Sequence, residues 1–407
     1  MKLTSSRWKA IFAGLMIILL MGSLSSLAST KKKKEKKPPS KLKLGPVYIN
    51  PFFEITKLGY DGNIYLSRTT ITSDFKATPA FGATFYLRLG TGGEASFTAR
   101  GDYQWFHRLS SLNYLNRTFS ANFFQPFTHF SLYLSNTYQN LRDQIGWEIN
   151  VLTKHTVNQA EVGVNLREEK KTSFGIKLWD KRIKYDSQVM IDEIPLANML
   201  DREEYGGSFT IYRRVLPKTK IFSKLRVNRY QFKHPESPLD SRSYQVLFGV
   251  NFDKTALIGG TAEIGYEILS FFSAEVPDFR GIIGSSSLSY HLGDALAFSV
   301  NYARRLSYSY LFNYYLLQEY GGGVLYYPLP WLGIDLRGNH ITLSYQTDGA
   351  SGYGERRNNV RWYSLGTKLR FSETGTAEFG LGYQYRLWYD GYRFSGYYLF
   401  NTLSFRF

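Results

Sequence analysis

Asn401-Thr402-Leu403-Ser404-Phe405-Arg406-Phe407 decides the fold. Leu403, Phe405 and Phe407 fall on one face of an extended chain, and Thr402, Ser404 and Arg406 fall on the other. A period of two with one apolar face predicts a strand that turns that face to an apolar medium. The same pattern recurs upstream. Over 374–388, Ala377, Phe379, Leu381, Tyr383, Tyr385 and Leu387 oppose Thr376, Glu378, Gly380, Gly382, Gln384 and Arg386. Over 255–269, Ala256, Ile258, Gly260, Ala262, Ile264, Tyr266 and Ile268 oppose Thr261, Glu263, Gly265 and Glu267. Over 242–252, Tyr244, Val246, Phe248, Val250 and Phe252 oppose Gln245, Gly249 and Asn251. A soluble sandwich also alternates, but it packs its apolar face on a second sheet. It rarely carries so many Tyr and Gly over strands this long.

Composition points the same way. Aromatic residues make up 17% of the 407, with 32 Tyr and 30 Phe. A transmembrane barrel uses them in girdles where hydrocarbon meets headgroup. Mean hydropathy is slightly negative, and beyond residue 30 no apolar run approaches the ~18 residues of a spanning helix. Both are expected when membrane-facing residues alternate with polar ones. The chain has no cysteine, which excludes disulfides, thiol catalysis, lipoprotein acylation and Cys-based metal sites.

Residues 1–28 read as a secretory signal: Lys2, Arg7 and Lys9, then an apolar segment from Ala10 to Leu24, then Ser26-Leu27-Ala28 as a small-x-small cleavage site. Residues 29–44 read as a disordered Lys-rich tail, since a like-charge block repels itself. The signal contributes +3 and the tail +7 to the net charge of +17, so the remainder carries +7. The tail is expected to be a solvated periplasmic linker, or a tether to anionic headgroups or an acidic periplasmic partner. An export signal removes the chain from nucleic acid, so nucleic-acid binding is not expected.

Residues 45–407 read as one barrel. Short turns fall near 90–94, 125–126, 169–170, 216–218, 253–254, 292–293, 328–329 and 372–374. Longer polar stretches separate them, at 57–72, 110–116, 142–156, 186–202, 233–240, 272–280, 309–313, 346–357 and 388–396. Short periplasmic turns and longer external loops predict an all-β transmembrane antiparallel barrel of about eighteen strands, or about sixteen if an early strand or 142–168 is misread. Counting back from the last strand puts the N-terminus in the periplasm.

Chemistry-bearing motifs are absent. The six histidines lack a HExxH-like spacing, no Gly-x-Ser-x-Gly elbow occurs, and Gly321-Gly322-Gly323 lacks the Lys-Ser/Thr of a phosphate loop. No catalytic residue, metal site or cofactor is expected. His129 and Ser131 share a strand face and leave a barrel-embedded hydrolase as a third reading. The polar strand faces carry the candidate pore-lining residues: Lys220, Lys224, Arg226, Glu263, Glu267, Lys368, Arg370, Glu378, Arg386 and Arg406. Charges are costly in hydrocarbon, so these should face water or each other. They form either a zipped electrostatic network or a weakly basic pore that attracts anions.

The closing strand, with Leu403, Phe405 and terminal Phe407, resembles the C-terminal signal that the barrel-assembly machinery reads in bacterial outer-membrane proteins. The segment Asn50-Pro51-Phe52-Phe53-Glu54-Ile55, followed by Gly59-Tyr60-Asp61-Gly62-Asn63-Ile64-Tyr65, resembles the opening of a family of outer-membrane β-barrel porins. Ser243-Tyr244 through Phe248-Gly249-Val250, and Thr261 to Gly265-Tyr266, are similar to that family's repeated hairpin. The resemblance implies a porin-like barrel in outer-membrane lipid. Some members resemble barrels encoded beside exopolysaccharide export machinery. The expected function is passive diffusion of small hydrophilic, preferably anionic, solutes. Partnership with an exopolysaccharide export system is the alternative. The sequence carries no interface signature that fixes an oligomeric state.

Overall fold

In a computed structural model of the chain, the alternating segments pair into a single large sheet. The structure describes residues 42–65, 71–90, 92–144, 147–148, 152–168, 170–191, 193–253, 257–310, 312–346, 356–372, 375–389 and 391–406. Among them are eighteen long strands: β1 (Val47–Asp61), β2 (Asp74–Leu89), β3 (Gly93–Phe106), β4 (Tyr114–Pro126), β5 (Phe130–Gln144), β6 (Leu152–Leu166), β7 (Thr172–Tyr185), β8 (Arg202–Leu216), β9 (Thr219–Phe232), β10 (Ser241–Phe252), β11 (Ile258–Phe271), β12 (Phe279–Leu292), β13 (Leu296–Tyr308), β14 (Tyr314–Leu329), β15 (Leu332–Tyr345), β16 (Arg357–Arg370), β17 (Gly375–Leu387) and β18 (Arg393–Arg406). Each pairs antiparallel with its sequence neighbours. β18 pairs back onto β1, Phe52 opposite Arg406 and Asp61 opposite Tyr398. Closure leaves no free first or last strand. The region 142–168 contributes genuine strand, so the count is eighteen rather than sixteen.

The strands run from 12 to 16 residues. At ~3.3 Å per residue and a tilt of about 40°, they rise roughly 30–40 Å. That exceeds an apolar band of ~25 Å, so they project beyond it. This explains why β1 reaches Asp61 and β5 reaches Gln144, where the polar composition pointed to loops from 57 and 142. Polar rim residues continue the ladder because an unpaired backbone group is costly. Near its end β1 is bulged at Lys57, whose φ is 55°. Pairing with β2 skips from Thr56 to Gly59. A Cβ at Gly59 would lie 2.0 Å from the Leu399 carbonyl oxygen, so only glycine fits there.

The outer face is apolar and uncovered. Phe85, Phe97, Phe119 and Tyr138 follow one another across β2 to β5 with ring centroids 6.4, 6.4 and 6.5 Å apart. All four rings are exposed. A ladder of neighbouring aromatics on a sheet's outer face is stabilised when lipid covers it. Before β1, Leu42–Leu44 folds back on Val47, Tyr48 and Ile49 through Gly45, at φ 57°. The expected signal segment 1–28 and the tail as far as residue 41 lie outside the described residues. A five-residue helix, α1 (Leu196–Leu200), lies in the β7–β8 connection.

Candidate functional site

The polar strand faces line the lumen, and toward the short-turn end their charges are mostly paired. Lys224 Nζ lies 2.6 Å from Glu263 Oε2. Lys177 lies 2.6 Å from Glu161. Lys368 lies 2.6 Å from Asp335 and 3.7 Å from Glu378, and Arg337 also engages Asp335 at 2.5 Å. Arg100 joins Glu54 at 3.0 Å and Asp102 at 2.7 Å, and Ser404 donates to Glu54. Facing strands place opposite charges at adjacent inward positions, and partial desolvation makes the pairing worthwhile.

Aromatic rings lie along this wall over glycines of the next strand. A Cβ at Gly163 would meet the Tyr133 ring at 2.0 Å, and one at Gly382 would meet the Tyr398 ring at 2.1 Å. The glycines let large rings lie flat against the wall instead of standing into the lumen.

The long-loop end is built differently. β12 and β13 pair only from Leu292–Leu296 up to Gly284–Arg304. Above that point, Arg305, Leu306, Ser307 and Tyr308 pair only with β14, opposite Leu317, Leu316, Tyr315 and Tyr314. The upper β13–β14 hairpin therefore parts from β12 and turns into the lumen, while β14 stays paired with β15 as far as Tyr315 opposite Tyr345. The face that carries Leu306, Tyr308, Tyr314 and Leu316 packs on the inner face of the adjoining strands β9 to β12, including Phe232, Leu247, Leu269, Phe271, Phe279 and Ile283. On its other side, Tyr315 and Leu317 cluster with Ile341, Leu343, Tyr345 and Val360. Burial on both faces explains a run of four apolar residues, Tyr314 to Leu317, with no alternation.

The hairpin tip reaches the loop between β5 and β6. Ser309 Oγ donates to Glu148 Oε1 at 2.6 Å, and the Tyr310 hydroxyl donates to the Glu148 carbonyl at 3.5 Å. Burial pushes the Glu148 carboxyl up to about 7, against hydrogen bonds from Ser309, Tyr345 and Tyr310 that favour its charged form. Beside it, the buried Arg386 guanidinium stacks 5.4 Å from the Trp147 ring and donates to the Trp147 carbonyl at 3.4 Å. α1 adds Leu196 and Leu200, packed with Tyr308 and Tyr310. The long-loop mouth is thus narrowed by an apolar lid with a buried carboxyl and a buried guanidinium in it.

Beneath the hairpin lies a cavity of about 440 Å³. It is walled by Arg226, Gln245, Glu263, Glu267 and Ser285 on one side and by Ala303 to Tyr308 on the other. Glu267 is buried and accepts from Ser243 Oγ at 2.5 Å and Gln245 Nε2 at 2.8 Å. Arg226 donates to Gln245 at 3.4 Å and stacks 5.7 Å from Trp179, while its Nε has no hydrogen-bond partner.

The sequence-predicted residues are therefore spread over several settings. Lys224 with Glu263, and Lys368 with Glu378, form ion pairs in the wall. Arg226, Glu263 and Glu267 meet at the cavity. Arg386 belongs to the mouth. Arg370 sits over the Tyr327 ring, 5.4 Å from its centroid. Among the described residues, Lys220 and Arg370 have no carboxylate within ion-pair distance. Arg406 pairs through its backbone with Phe52. Leu403 sits opposite Ala377, and the Phe405 ring lies 5.6 Å from Phe371. Phe407 lies outside the described residues. Trp147, Glu148, Ser309 and Tyr308 were not singled out by sequence. The unalternating Tyr314 to Leu317 run was the signal that could have found the hairpin.

The family described as "Putative beta-barrel porin 2" matches residues 131–362. Among solved structures, the outer membrane protein OpdK of Pseudomonas aeruginosa is 11% identical, with 88% of this chain and 98% of that one covered and a TM-score of 0.48. OccAB4 of Acinetobacter baumannii is 8% identical, with 88% and 98% covered and a TM-score of 0.48. The FrpB iron transporter of Neisseria meningitidis (F5-1 variant) is 10% identical, with 83% of this chain covered and a TM-score of 0.47. This chain spans 63% of that transporter's length. No curated protein matches the chain.

Proposed function

The chain belongs to the family described as Putative beta-barrel porin 2, which matches more than half of it, and from that premise we propose that it is an outer-membrane channel for passive diffusion of small hydrophilic, preferably anionic, solutes. In this account the short turns and the N-terminus are periplasmic, and the long loops and inward hairpin face outside. The closing strand β18 is the segment offered to the barrel-assembly machinery. Barrels of about this strand number enclose an aqueous lumen.

The observation that carries the proposal is an asymmetry in the lumen charges. The carboxylates Glu263, Asp335, Glu378, Glu54, Asp102 and Glu161 each have a cationic partner. Among the described residues, Lys220, Arg226 and Arg370 have no carboxylate within ion-pair distance. Glu267 and Glu319 also lack a cationic partner, but neutral donors hold them, Ser243 and Gln245 on the first and Asn339 on the second, and the cations without a carboxylate outnumber them, which favours anions.

Liposome swelling tests the proposal. Proteoliposomes of the full chain should swell in small sugars and faster in small organic anions. Swelling no faster than that of empty liposomes, from protein shown to be folded, would overturn the channel.

A further inference from the structure

The seam between β12 and β13 has a consequence beyond a narrowed pore. The last wall pair is Gly284–Arg304, yet β12 continues to Phe279 and β13 to Tyr308. About five residues of each strand, at ~3.3 Å per residue, therefore leave a notch roughly 15 Å long at the long-loop end. An unpaired strand edge facing lipid is costly. One exposed acceptor there is met by a side chain: Arg304 Nε donates to the Ile282 carbonyl at 2.8 Å. The cavity lies directly behind this notch, since Ile283, Gly284, Arg304, Arg305 and Leu306 all line it.

The chemistry of the notch and the cavity is amphipathic. On the bilayer side, β12 presents Arg280 next to Ile282, which is 55% exposed. β13 presents Arg304 above Val300, which is 56% exposed. Two cations thus flank the seam at the outer limit of an otherwise apolar face. Inside, Arg226 has an unpartnered Nε, and Arg305 has no carboxylate within ion-pair distance among the described residues. Of the cavity's carboxylates, Glu263 is held by Lys224, Glu204 by Arg202 at 2.8 Å, and Glu267 by the neutral donors Ser243 and Gln245. Leu247, Leu269, Ile283 and Leu306 supply apolar wall.

We infer that the β12–β13 seam is a lateral portal from the outer half of the bilayer into this cavity, and that the cavity takes an amphiphile with an anionic head and an acyl chain. The head moves between the seam arginines, Arg280 and Arg304, and the inner pair, Arg226 and Arg305. The chain lies along the leucine wall. Motion of the hairpin opens the seam without breaking the paired wall below Gly284. A fatty-acid carboxylate and a phosphate-bearing lipid share this chemistry.

The test uses the full chain in non-ionic detergent with two photoactivatable probes, a diazirine fatty acid and a diazirine alkyl phosphate. The chain has no cysteine, so Ile283→Cys with Leu306→Cys can be joined across the seam by a short bis-methanethiosulfonate. The unbridged double variant should label at Leu247 or Leu269, inside the barrel. Bridging should abolish that labelling, and reductant should restore it. Arg226→Gln should weaken probe binding by about tenfold, the loss of one charge-assisted contact. The head group that labels at the lower concentration identifies the source. Labelling confined to outward positions such as Ile264 and Val300, or interior labelling indifferent to the bridge, would overturn the portal. KCl conductance of the bridged protein is the separate readout for the channel.

Discussion

Ser309, at the tip of the inward hairpin, hydrogen-bonds the Glu148 carboxyl at 2.6 Å, although the β5–β6 and β13–β14 connections lie eight strands apart around an eighteen-stranded wall. The contact spans the lumen almost along a diameter. It fixes the hairpin across the mouth, and Tyr310, Tyr345 and the Arg386–Trp147 stack surround it.

This contact should make the mouth pH-sensitive. Burial lifts Glu148 from an ordinary 4.5 to about 7. The docked tip therefore keeps a proton that an undocked, solvated Glu148 releases. Docking is undisturbed below about pH 4.5, weakens as pH rises through the window, and is weakest above 7, by about 3 kcal/mol in the limit. Single-channel recordings should show larger or more frequent openings at pH 9 than at pH 5. Glu148→Gln should remove that dependence. Openings that increase toward acid would contradict the assignment.

Arg386 should act through the same loop. Its guanidinium is buried against Trp147. Arg386→Met keeps the bulk and loses both the stacking and the hydrogen bond to the Trp147 carbonyl, about 1–3 kcal/mol together. The mouth loop should loosen, read as faster proteolysis near 147 with the barrel intact. An unchanged cleavage rate would count against the anchor.

Lys224 and Glu263 should set selectivity in opposite directions. They face each other at 2.6 Å, so neutralising one leaves the other uncompensated. Glu263→Gln should move the reversal potential toward anions, and Lys224→Gln should move it toward cations. Shifts of the same sign would show that the pair does not line the path.

Gly163 should tolerate no side chain unless Tyr133 is cut back. A Cβ there meets the Tyr133 ring at 2.0 Å. Gly163→Val should lower stability or folding yield by about 1–3 kcal/mol through overpacking. Adding Tyr133→Ala should restore part of the loss. Additive losses in the double variant would mean that the ring does not lie where it is described.

The barrel was legible because lipid enforces alternation: Ile264, Tyr266 and Ile268 face out while Glu263 and Glu267 face in, as their spacing requires. Strand ends were less legible. Polar rim residues such as Asp61 and Gln144 continue the ladder although their composition reads as loop. Ion pairs such as Lys224 with Glu263 depend on register, which no single strand specifies. The hairpin was hidden for another reason. Leu306, Tyr308, Tyr314 and Leu316 look like lipid-facing residues, and only the break in alternation at Tyr315 and Leu317 marks them as buried on both sides. The contact with Glu148 joins residues 161 apart in the chain, and nothing in the spacing announces it.

The channel proposed for this barrel has a lumen in which Lys220, Arg226 and Arg370 face the path with no carboxylate within ion-pair distance among the described residues. The direct measurement is the current carried by the full chain in a planar bilayer under a KCl gradient. Discrete channels are expected, with a reversal potential on the anion side, and Lys220, Arg226 and Arg370 are the neutralisations that should move it most. A folded barrel that carries no current at either pH 5 or pH 9, or one that selects cations, would contradict the proposal.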